Sequence, residues 1–527
     1  MKLIENAPWW LVSAGLHAVL ILGAALIYVE RLMAVDTNII VIGCPGPLPP
    51  PITDIPRDVV GERTSPVEPD PTSEINQPFV FDPTAKIAKK LESDNGDPAR
   101  DRLGQLWETD GYIPGPDPGL KGRSKLPGSG VSDNIGVGSG SGYSQRKGRT
   151  RGGLDNTIPK GRPPGIETAA TESAVLAALR WLARHQNADG SWSAEGFNHK
   201  CVNGKCSGSG ERDYDTGVTS LSLLAFLGAG YTQLSKDEFV DPAVPGLTLR
   251  FGDVVKRGVQ WLMAQQDPEG CVGERGQKYM YNHAVAALVL SEAYGMTVSQ
   301  PIREPAQRAI TFIVNAQNPG KGWRYSHRSG DNDTSVTGWA VMALKSAEIS
   351  GLEFPHSAYE GALSWLNEAT ERNGYYRVGY NQAGTGKVFV PGKNEQFSDH
   401  PSMSAVAVMS RIFIQKKRDP ALGAVNHLMA DLPAWKPGQV DFYYWYYASL
   451  ALFQYDGPKG AFWSKWNEPM KSALVPTQKP RASGCENGSW DPSADRWGFE
   501  GGRVYAAAIN CLTLEVYYRY ANVFGTR

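Results

Sequence analysis

The sequence predicts an all-α protein, an (α/α)6 toroid preceded by one transmembrane helix and a disordered linker rich in Pro and Gly. Three observations support this prediction: an uncharged run near the N-terminus, a Pro- and Gly-rich region without apolar periodicity, and helix pairs that carry a recurring motif. We therefore divide the chain into an N-terminal segment at 1–31, a linker at 32–165 and a helical toroid at 166–527.

The N-terminal segment contains an uncharged run from Ala7 to Val29. A helix rises about 1.5 Å per residue, so this run is long enough to cross a hydrocarbon core of about 30 Å. A cleaved signal peptide is the alternative, but "LMA" before Val35 is a poor cleavage pattern. We predict an uncleaved anchor at about 8–29. The protein would then be a single-pass protein of the inner (cytoplasmic) membrane with a periplasmic C-terminal domain.

Two residues of this run, Ser13 and His17, are four apart and share a helix face. An ionisable side chain inside a membrane is costly and indicates function. The stretch "PWWLVSAGLH", followed by "CPGPLPPPITDIP", resembles the N-terminus of TonB-type energy transducers. That resemblance implies that Ser13 and His17 couple the chain to an ExbB/ExbD-like proton-driven motor, although the receptor-binding domain of that family has no counterpart here. The alternative is a generic anchor whose His reaches the interface.

The linker combines Pro-rich segments such as "PGPLPPP", which favour extended structure, with the flexible, locally basic "GSGVSDNIGVGSGSGYSQRKGRTRGG". Its "GVGSGSG" has no strand before it and no helix after it, so it does not predict a phosphate-binding loop. The formal net charge of the whole chain is −1. We expect no nucleic-acid partner, because no strongly basic field is present.

Four segments of the helical region repeat one pattern: "RWLARHQNADGSW" (180–192), "QWLMAQQDPEGCV" (260–272), "TFIVNAQNPGKGW" (311–323) and "SWLNEATERNGYY" (364–376). In each, a Gln or Thr comes five residues after an aromatic residue, and a Trp, Val or Tyr comes six later. The pattern predicts a helix that ends near the Gln, a tight Gly turn and an aromatic ring folded back on the helix. The spacing resembles the QW repeat of squalene–hopene and oxidosqualene cyclases.

A more apolar helix follows each outer helix, which gives six such segments, among them "TGVTSLSLLAFLGAG" and "TSVTGWAVMALKSAEISG". Their small residues allow close approach, whereas amphipathic helices such as "TESAVLAALRWLARHQ" suit an outer ring. Six inner and six outer helices would close into the toroid. This architecture resembles that of terpene cyclases, protein prenyltransferase β subunits and the complement thioester domain.

The cyclases that this chain resembles protonate an alkene with the middle aspartate of an Asp-x-Asp-Asp-Thr motif. We therefore asked whether this sequence has an acid at the same position. In "GDNDTS", Asp333 precedes the Thr, but Asn332 occupies the donor position and cannot supply that proton. In "RDYDTGVTS", the shortened motif recurs with Tyr214 at that position, which is far too weak an acid. We therefore expect no squalene-cyclase chemistry.

Two roles remain open for the aspartates of the shortened motifs. Asp215 and Asp333, or the threonines that follow them, would cap the helices that start there. Alternatively, the pairs Asp213/Asp215 and Asp331/Asp333 would bind a ligand, or Mg²⁺ with a diphosphate. These four residues are also the only catalytic candidates.

"KCVNGKC" places Cys201 and Cys206 in a polar, Gly-containing loop. If this loop lies outside the cytoplasm, a local disulfide between them is favoured over the alternative, a metal site, because no His/Cys pair with zinc spacing lies nearby. Cys511 lies within an apolar helix and is interpreted as a buried structural cysteine. Glu274 stands three residues after Cys271, where a thioester would need Gln, so no thioester can form.

The run "DFYYWYYASL" and several polar residues at helix starts predict a cavity for an isoprenoid, another apolar ligand or a peptide. The predicted ligand-binding residues are His283, Asp399, His400, Tyr443, Tyr444, Trp445 and Tyr447. The favoured function is a membrane-anchored toroid that binds an apolar ligand or a protein partner. The alternatives are an isoprenoid-modifying cyclase or prenyltransferase with a rearranged acid, and a TonB-like motor-coupled transducer.

Overall fold

The computed structural model describes residues 169–519, apart from 202–204, 242, 373–375, 385–387, 398, 419–421 and 458. Within this part of the chain, no helix has the length and apolarity needed to cross a bilayer. The predicted anchor with Ser13 and His17, the whole predicted linker at 32–165 and its boundary with the toroid lie outside the described residues. The motor coupling of Ser13 and His17 stays a prediction.

Helices dominate the described residues. In chain order they are α1 (Ala169–Arg184), α2 (Asp215–Gly228), α3 (Phe251–Ala264), α4 (Tyr279–Thr297), α5 (Gln300–Ala316), α6 (Thr334–Ile349), α7 (Ser357–Glu368), α8 (Ser402–Gln415), α9 (Leu422–Leu428), α10 (Phe442–Asp456), α11 (Ala461–Leu474) and α12 (Gly498–Arg519). A short antiparallel hairpin of β1 (Glu238–Val240) and β2 (Thr248–Arg250) precedes α3 and pairs Phe239 with Leu249.

The even-numbered helices form a closed inner ring. Each contacts the next in the order α2, α4, α6, α8, α10, α12, and α12 contacts α2. Every residue of α6 from Thr334 to Ala347 is buried, as expected for a helix that is covered on all sides. The odd-numbered helices pack outside this ring, and α3 buries a single face that includes Val255, Val259 and Leu262. The described domain is therefore consistent with the predicted α/α toroid.

The glutamines of the repeats connect neighbouring outer helices. The Gln186 amide nitrogen donates to the Gly190 carbonyl at 3.0 Å and to the Val254 carbonyl, in α3, at 2.9 Å. Gln266 and Gln317 make the equivalent bonds to the next outer helix, each at 2.9 Å, to the carbonyls of Pro305 in α5 and Ala358 in α7. Each glutamine therefore satisfies its own turn and also ties the end of one outer helix to its neighbour.

The tryptophans of the repeats fold back on the helix that has just ended. The indole nitrogens of Trp192 and Trp323 donate to the carbonyls of Leu182 and Ile313 at 2.8 and 2.7 Å. Carbonyls in the last turn of a helix lack the usual donor four residues later. The Leu182 carbonyl also accepts the His185 N–H at 3.1 Å, and the indole gives it a second hydrogen bond. The predicted return of the aromatic ring is confirmed at these two repeats.

A further repeat, incomplete in the sequence, closes the ring. Gln478 follows α11, and its amide donates to the Gly488 carbonyl at 2.9 Å and to the Ala174 carbonyl of α1 at 2.8 Å. A 3-10 helix at Arg481–Glu486 separates this glutamine from its glycine, which hides the motif in the sequence. The last outer helix is thus tied to the first in the way that the others are tied to one another.

Gly190 occupies a turn that only glycine fits, and Gly190→Ala is expected to lower the free energy of unfolding by about 2 kcal/mol. Its φ is +100°, and an added Cβ would lie 2.3 Å from the Arg257 carbonyl oxygen of α3. Gly246 is the matched control, because its φ is +80° but no atom lies within 4 Å of its added Cβ. Gly246→Ala should cost about 1 kcal/mol in urea unfolding. Equal losses for the two variants would contradict the close approach.

Candidate functional site

Residues of the inner helices and of the loops at their ends line a cavity of about 1040 Å³. Part of its apolar lining comes from α2, α4 and α6, namely Val218, Leu221, Val285 and Trp339. Six phenols also line it: Tyr214, Tyr281, Tyr325, Tyr380, Tyr443 and Tyr505. The volume is at the upper end of the range of ligand pockets, and the mixture of apolar wall and phenol groups suits a large, mainly apolar molecule with a few polar atoms.

Of the predicted aromatic residues of α10, only Tyr443 lines the cavity. Its hydroxyl is hydrogen-bonded to the Ser335 hydroxyl of α6 at 2.5 Å. The other three pack into the helical shell, because successive residues of a helix point in different directions and only one face meets the cavity. The prediction that all four contact a ligand is therefore corrected to Tyr443 alone.

The three shell residues have clear structural partners. The Tyr444 hydroxyl donates to the Asp431 carbonyl at 3.0 Å. The Trp445 ring packs against Trp435, with 6.3 Å between ring centroids, and Tyr447 packs edge-on against Trp339 at 5.4 Å. These contacts hold α10 against its neighbours.

His283 is a structural residue of the second repeat. It lies in the first turns of α4 and is fully buried. Its Nδ1 accepts the Val272 N–H at 3.0 Å, and its Nε2 is 3.1 Å from the Ala309 carbonyl oxygen, to which it donates. Burial lowers the pKa of His283 to about 4, so the ring is neutral. Backbone groups occupy both ring nitrogens and the ring does not line the cavity, so the structure gives His283 a packing position instead of the predicted ligand-binding one.

Asp399 and His400 line the cavity at the start of α8, as the sequence analysis placed them. His400 Nδ1 lies 2.6 Å from a carboxylate oxygen of Asp431. Burial alone would lower the pKa of His400, but the hydrogen bond to Asp431 and the charge of Asp441 raise it above its ordinary value. Its Nε2 is buried and has no hydrogen-bond partner in the structure, which makes His400 a candidate hydrogen-bonding residue for a ligand.

Asp333 caps α6, as predicted for the shortened motif. One carboxylate oxygen accepts the Val336 N–H at 2.7 Å, and the other accepts the Tyr380 hydroxyl at 3.3 Å. The side chain is fully buried, and burial raises the pKa of Asp333 to about 7 despite its hydrogen bond to Val336 and the nearby Arg324 guanidinium. Asp333 does not itself line the cavity, but Tyr380 does.

The other aspartates of the two motifs differ in environment. Asp331 is exposed and paired with Arg324. Asp215 lies in the first turn of α2 without capping it, and its carboxylate accepts the Ala194 N–H of the preceding loop at 2.7 Å. The capping prediction is therefore wrong for Asp215. Asp213 precedes α2 and contributes its carbonyl to Asn282, at 2.7 Å. The Mg²⁺ prediction for these pairs stays a prediction.

Cys201 and Cys206 do not form the predicted disulfide in the structure, where both are thiols. The Cys206 N–H donates to the Cys201 sulfur at 3.2 Å. Both sulfurs lie instead against the ring of His185, a residue that the sequence analysis passed over. Cys271 and Cys511 are buried, the latter as predicted.

The cavity wall contains two polar networks that the sequence analysis did not single out. In the first, the hydroxyls of Tyr325 and Tyr380 are hydrogen-bonded to each other, and Tyr380 continues to Asp333. In the second, the Lys278 ammonium donates to the Tyr214 hydroxyl at 3.0 Å and to the Glu500 carboxylate at 2.8 Å. These residues come from separate loops and helix starts, so no local motif reveals that they meet.

The helical ring, the glutamine turns and the central cavity define a terpenoid cyclase-like toroid. Residues 249–404 match the family model of the squalene-hopene cyclase C-terminal domain. The fold is accordingly a squalene cyclase-like terpenoid cyclase fold.

Two solved structures of the type II terpene cyclase MstE from Scytonema are similar to this chain. A variant in complex with geranylgeranyl dihydroxybenzoate, its substrate, has 13% sequence identity and a TM-score of 0.40, over 66% of this chain and 97% of that chain. The apo enzyme also has 13% identity and a TM-score of 0.40, over 67% and 98%. No curated protein matches the sequence.

Proposed function

We propose that this chain is a membrane-anchored, periplasmic toroid that binds an apolar ligand of the isoprenoid class without squalene-cyclase chemistry. The cavity of about 1040 Å³ is the observation that supports the proposal. Its aliphatic and indole wall provides apolar contact, and the phenols, His400 and Lys278 offer hydrogen bonds to a polar end group. The predicted anchor at about 8–29 would keep the cavity close to a membrane that supplies such ligands.

The residues around the missing acid support binding over cyclisation. Asn332 stands at the donor position, and its side-chain oxygen accepts the Asn318 amide at 3.0 Å. An amide of this kind cannot protonate an alkene. Asp333 is fully buried and engaged with Val336 and Tyr380, so its carboxyl does not face the cavity as an olefin-protonating acid must.

Mass spectrometry of the purified full chain under native conditions should detect a retained lipid, and Leu221→Trp should reduce its loading at least about tenfold. Leu221 lines the cavity, and an indole there would fill volume that the ligand needs. Leu234→Trp is the matched control, because Leu234 is 42% exposed and lies outside the cavity lining. A chain recovered without lipid, or equal loading of both variants, would contradict the proposal.

One observation favours a second candidate, an isoprenoid-modifying enzyme with a rearranged acid. Burial raises the pKa of Asp333 to about 7, and Tyr380 and Tyr325 connect this carboxyl to the cavity wall. A carboxyl with such a pKa can exchange a proton near neutral pH. If this candidate is correct, the retained lipid changes in mass or isomer on incubation, and Tyr380→Phe abolishes the change without abolishing lipid binding.

A further inference from the structure

Four side chains from three separate stretches meet beside α1. His185 directly follows α1, Cys201 and Cys206 lie in the loop before α2, and Cys485 lies in the 3-10 helix Arg481–Glu486. His185 Nε2 is 3.6 Å from the Cys201 sulfur, 3.7 Å from the Cys206 sulfur and 3.5 Å from the Cys485 sulfur. One nitrogen and three sulfur atoms lie within 4.8 Å of one another.

The three nitrogen–sulfur distances are those that a tetrahedral zinc ion requires. Zn–S bonds of about 2.3 Å and a Zn–N bond of about 2.0 to 2.1 Å, at tetrahedral angles, place each sulfur about 3.6 Å from the nitrogen. The observed distances of 3.5 to 3.7 Å agree with that value for all three cysteines. A single disulfide would use two of the sulfurs and leave the third and the imidazole without a role.

The surroundings of His185 orient it as a metal ligand. Its Nδ1 lies 2.7 Å from the Trp181 carbonyl oxygen, and because a carbonyl can only accept, Nδ1 carries the hydrogen. The lone pair of a neutral ring is then on Nε2, the atom that faces the three sulfurs. Trp181 also stacks on the ring, with 4.1 Å between centroids. Such a backbone partner for the second ring nitrogen is the usual support of a histidine bound to zinc.

We propose that His185, Cys201, Cys206 and Cys485 bind one zinc ion in a structural Cys3His site. Three thiols would release their protons to solvent, and four protein ligands would leave no open position for catalysis. The cysteines lie in segments that are longer than the corresponding segments of other repeats. Residues 193–214, for example, separate Trp192 from α2, whereas only residues 273–278 separate Val272 from α4. The site would join the first repeat to the last one, next to the bond between Gln478 and Ala174.

Elemental analysis of the purified full chain tests the site and is expected to give about one zinc per chain. Cys485→Ser should reduce the zinc content at least about fivefold, since three ligands bind zinc much more weakly than four. Cys271→Ser is the matched control, because Cys271 is also buried but lies outside the cluster, and it should retain the zinc. Wild-type chain whose zinc is replaced by cobalt should also show the visible absorption of a tetrahedral thiolate site.

A thiol titration on the denatured wild-type chain gives an independent result that does not depend on any variant folding. The sequence has six cysteines, so a metal site predicts six reactive thiols after chelation. Two fewer thiols, together with an absence of zinc, would show that two cysteines form a disulfide instead of a metal site and would overturn the proposal. Zinc that persists in Cys485→Ser at the wild-type level would overturn it as well.

Discussion

Replacement of Arg503 with Met is expected to lower the free energy of unfolding by about 3 to 5 kcal/mol. The guanidinium is fully buried where the last helix, α12, meets the loop before α2. It donates to the Ser207 carbonyl at 2.6 Å and to the Trp490 carbonyl at 3.2 Å, and it pairs with the Glu486 carboxylate at 2.9 Å. Met would fill much of the volume but would leave these acceptors unpaired, and an unpaired buried acceptor is costly.

Urea unfolding of the full chain measures this loss. Arg250→Met is the matched control, because Arg250 also pairs with a glutamate, Glu238, but the two side chains are 52% and 50% exposed. Solvent screens an exposed ion pair of that kind, so the control should change stability little. If Arg503→Met were no more destabilising than the control, the packing of the last repeat against the first would not depend on this side chain.

Asp333→Asn is expected to raise the free energy of unfolding relative to wild type. The gain should be about 2 to 3 kcal/mol larger at pH 8.5 than at pH 5. The pKa of Asp333 is about 7 in the folded chain because burial disfavours the carboxylate. Above its ordinary pKa near 4, the unfolded chain binds fewer protons at this residue than the folded chain does. The contribution of Asp333 to wild-type stability therefore falls as pH rises from about 4 to 7 and is constant above pH 7.

An asparagine removes this dependence, since it stays neutral and its side-chain oxygen can still accept the Val336 N–H. Asp253→Asn serves as the control, because the Asp253 side chain is 52% exposed and its charge is solvated. Thermal unfolding of the three proteins at both pH values gives the comparison. If the difference in stability between Asp333→Asn and wild type were the same at both pH values, the carboxyl of Asp333 would not titrate in this range.

Much of the fold follows from local patterns in the sequence. The inner helices are apolar on all sides and the outer ones on one face, and this contrast alone indicates two concentric layers. The Gln-to-Trp spacing predicts the turns at Gln186, Gln266 and Gln317, because a helix end, a tight turn and a returning ring are all local. The capping role of Asp333 is local as well, and the structure confirms it.

The features that the sequence did not reveal depend on distant contacts. Cys485 is 300 residues from His185, so no zinc spacing could show that they meet. The direction of each aromatic side chain in α10 depends on how that helix is rotated about its own axis. This rotation makes Tyr443 line the cavity and turns Trp445 away from it. His283 looked like a ligand because its helix start is polar, but the carbonyl that occupies its Nε2 belongs to a different helix.

Ring closure also constrains how the domain is made. Because α12 packs between α10 and α2, a chain still on the ribosome lacks the helix that covers the apolar sides of both neighbours. The inner ring closes only when α12 has been made, so folding to the final state awaits synthesis of this helix. A premature stop before α12 would yield an open ring with exposed apolar helix faces, which chaperones and proteases recognise, instead of a smaller working domain.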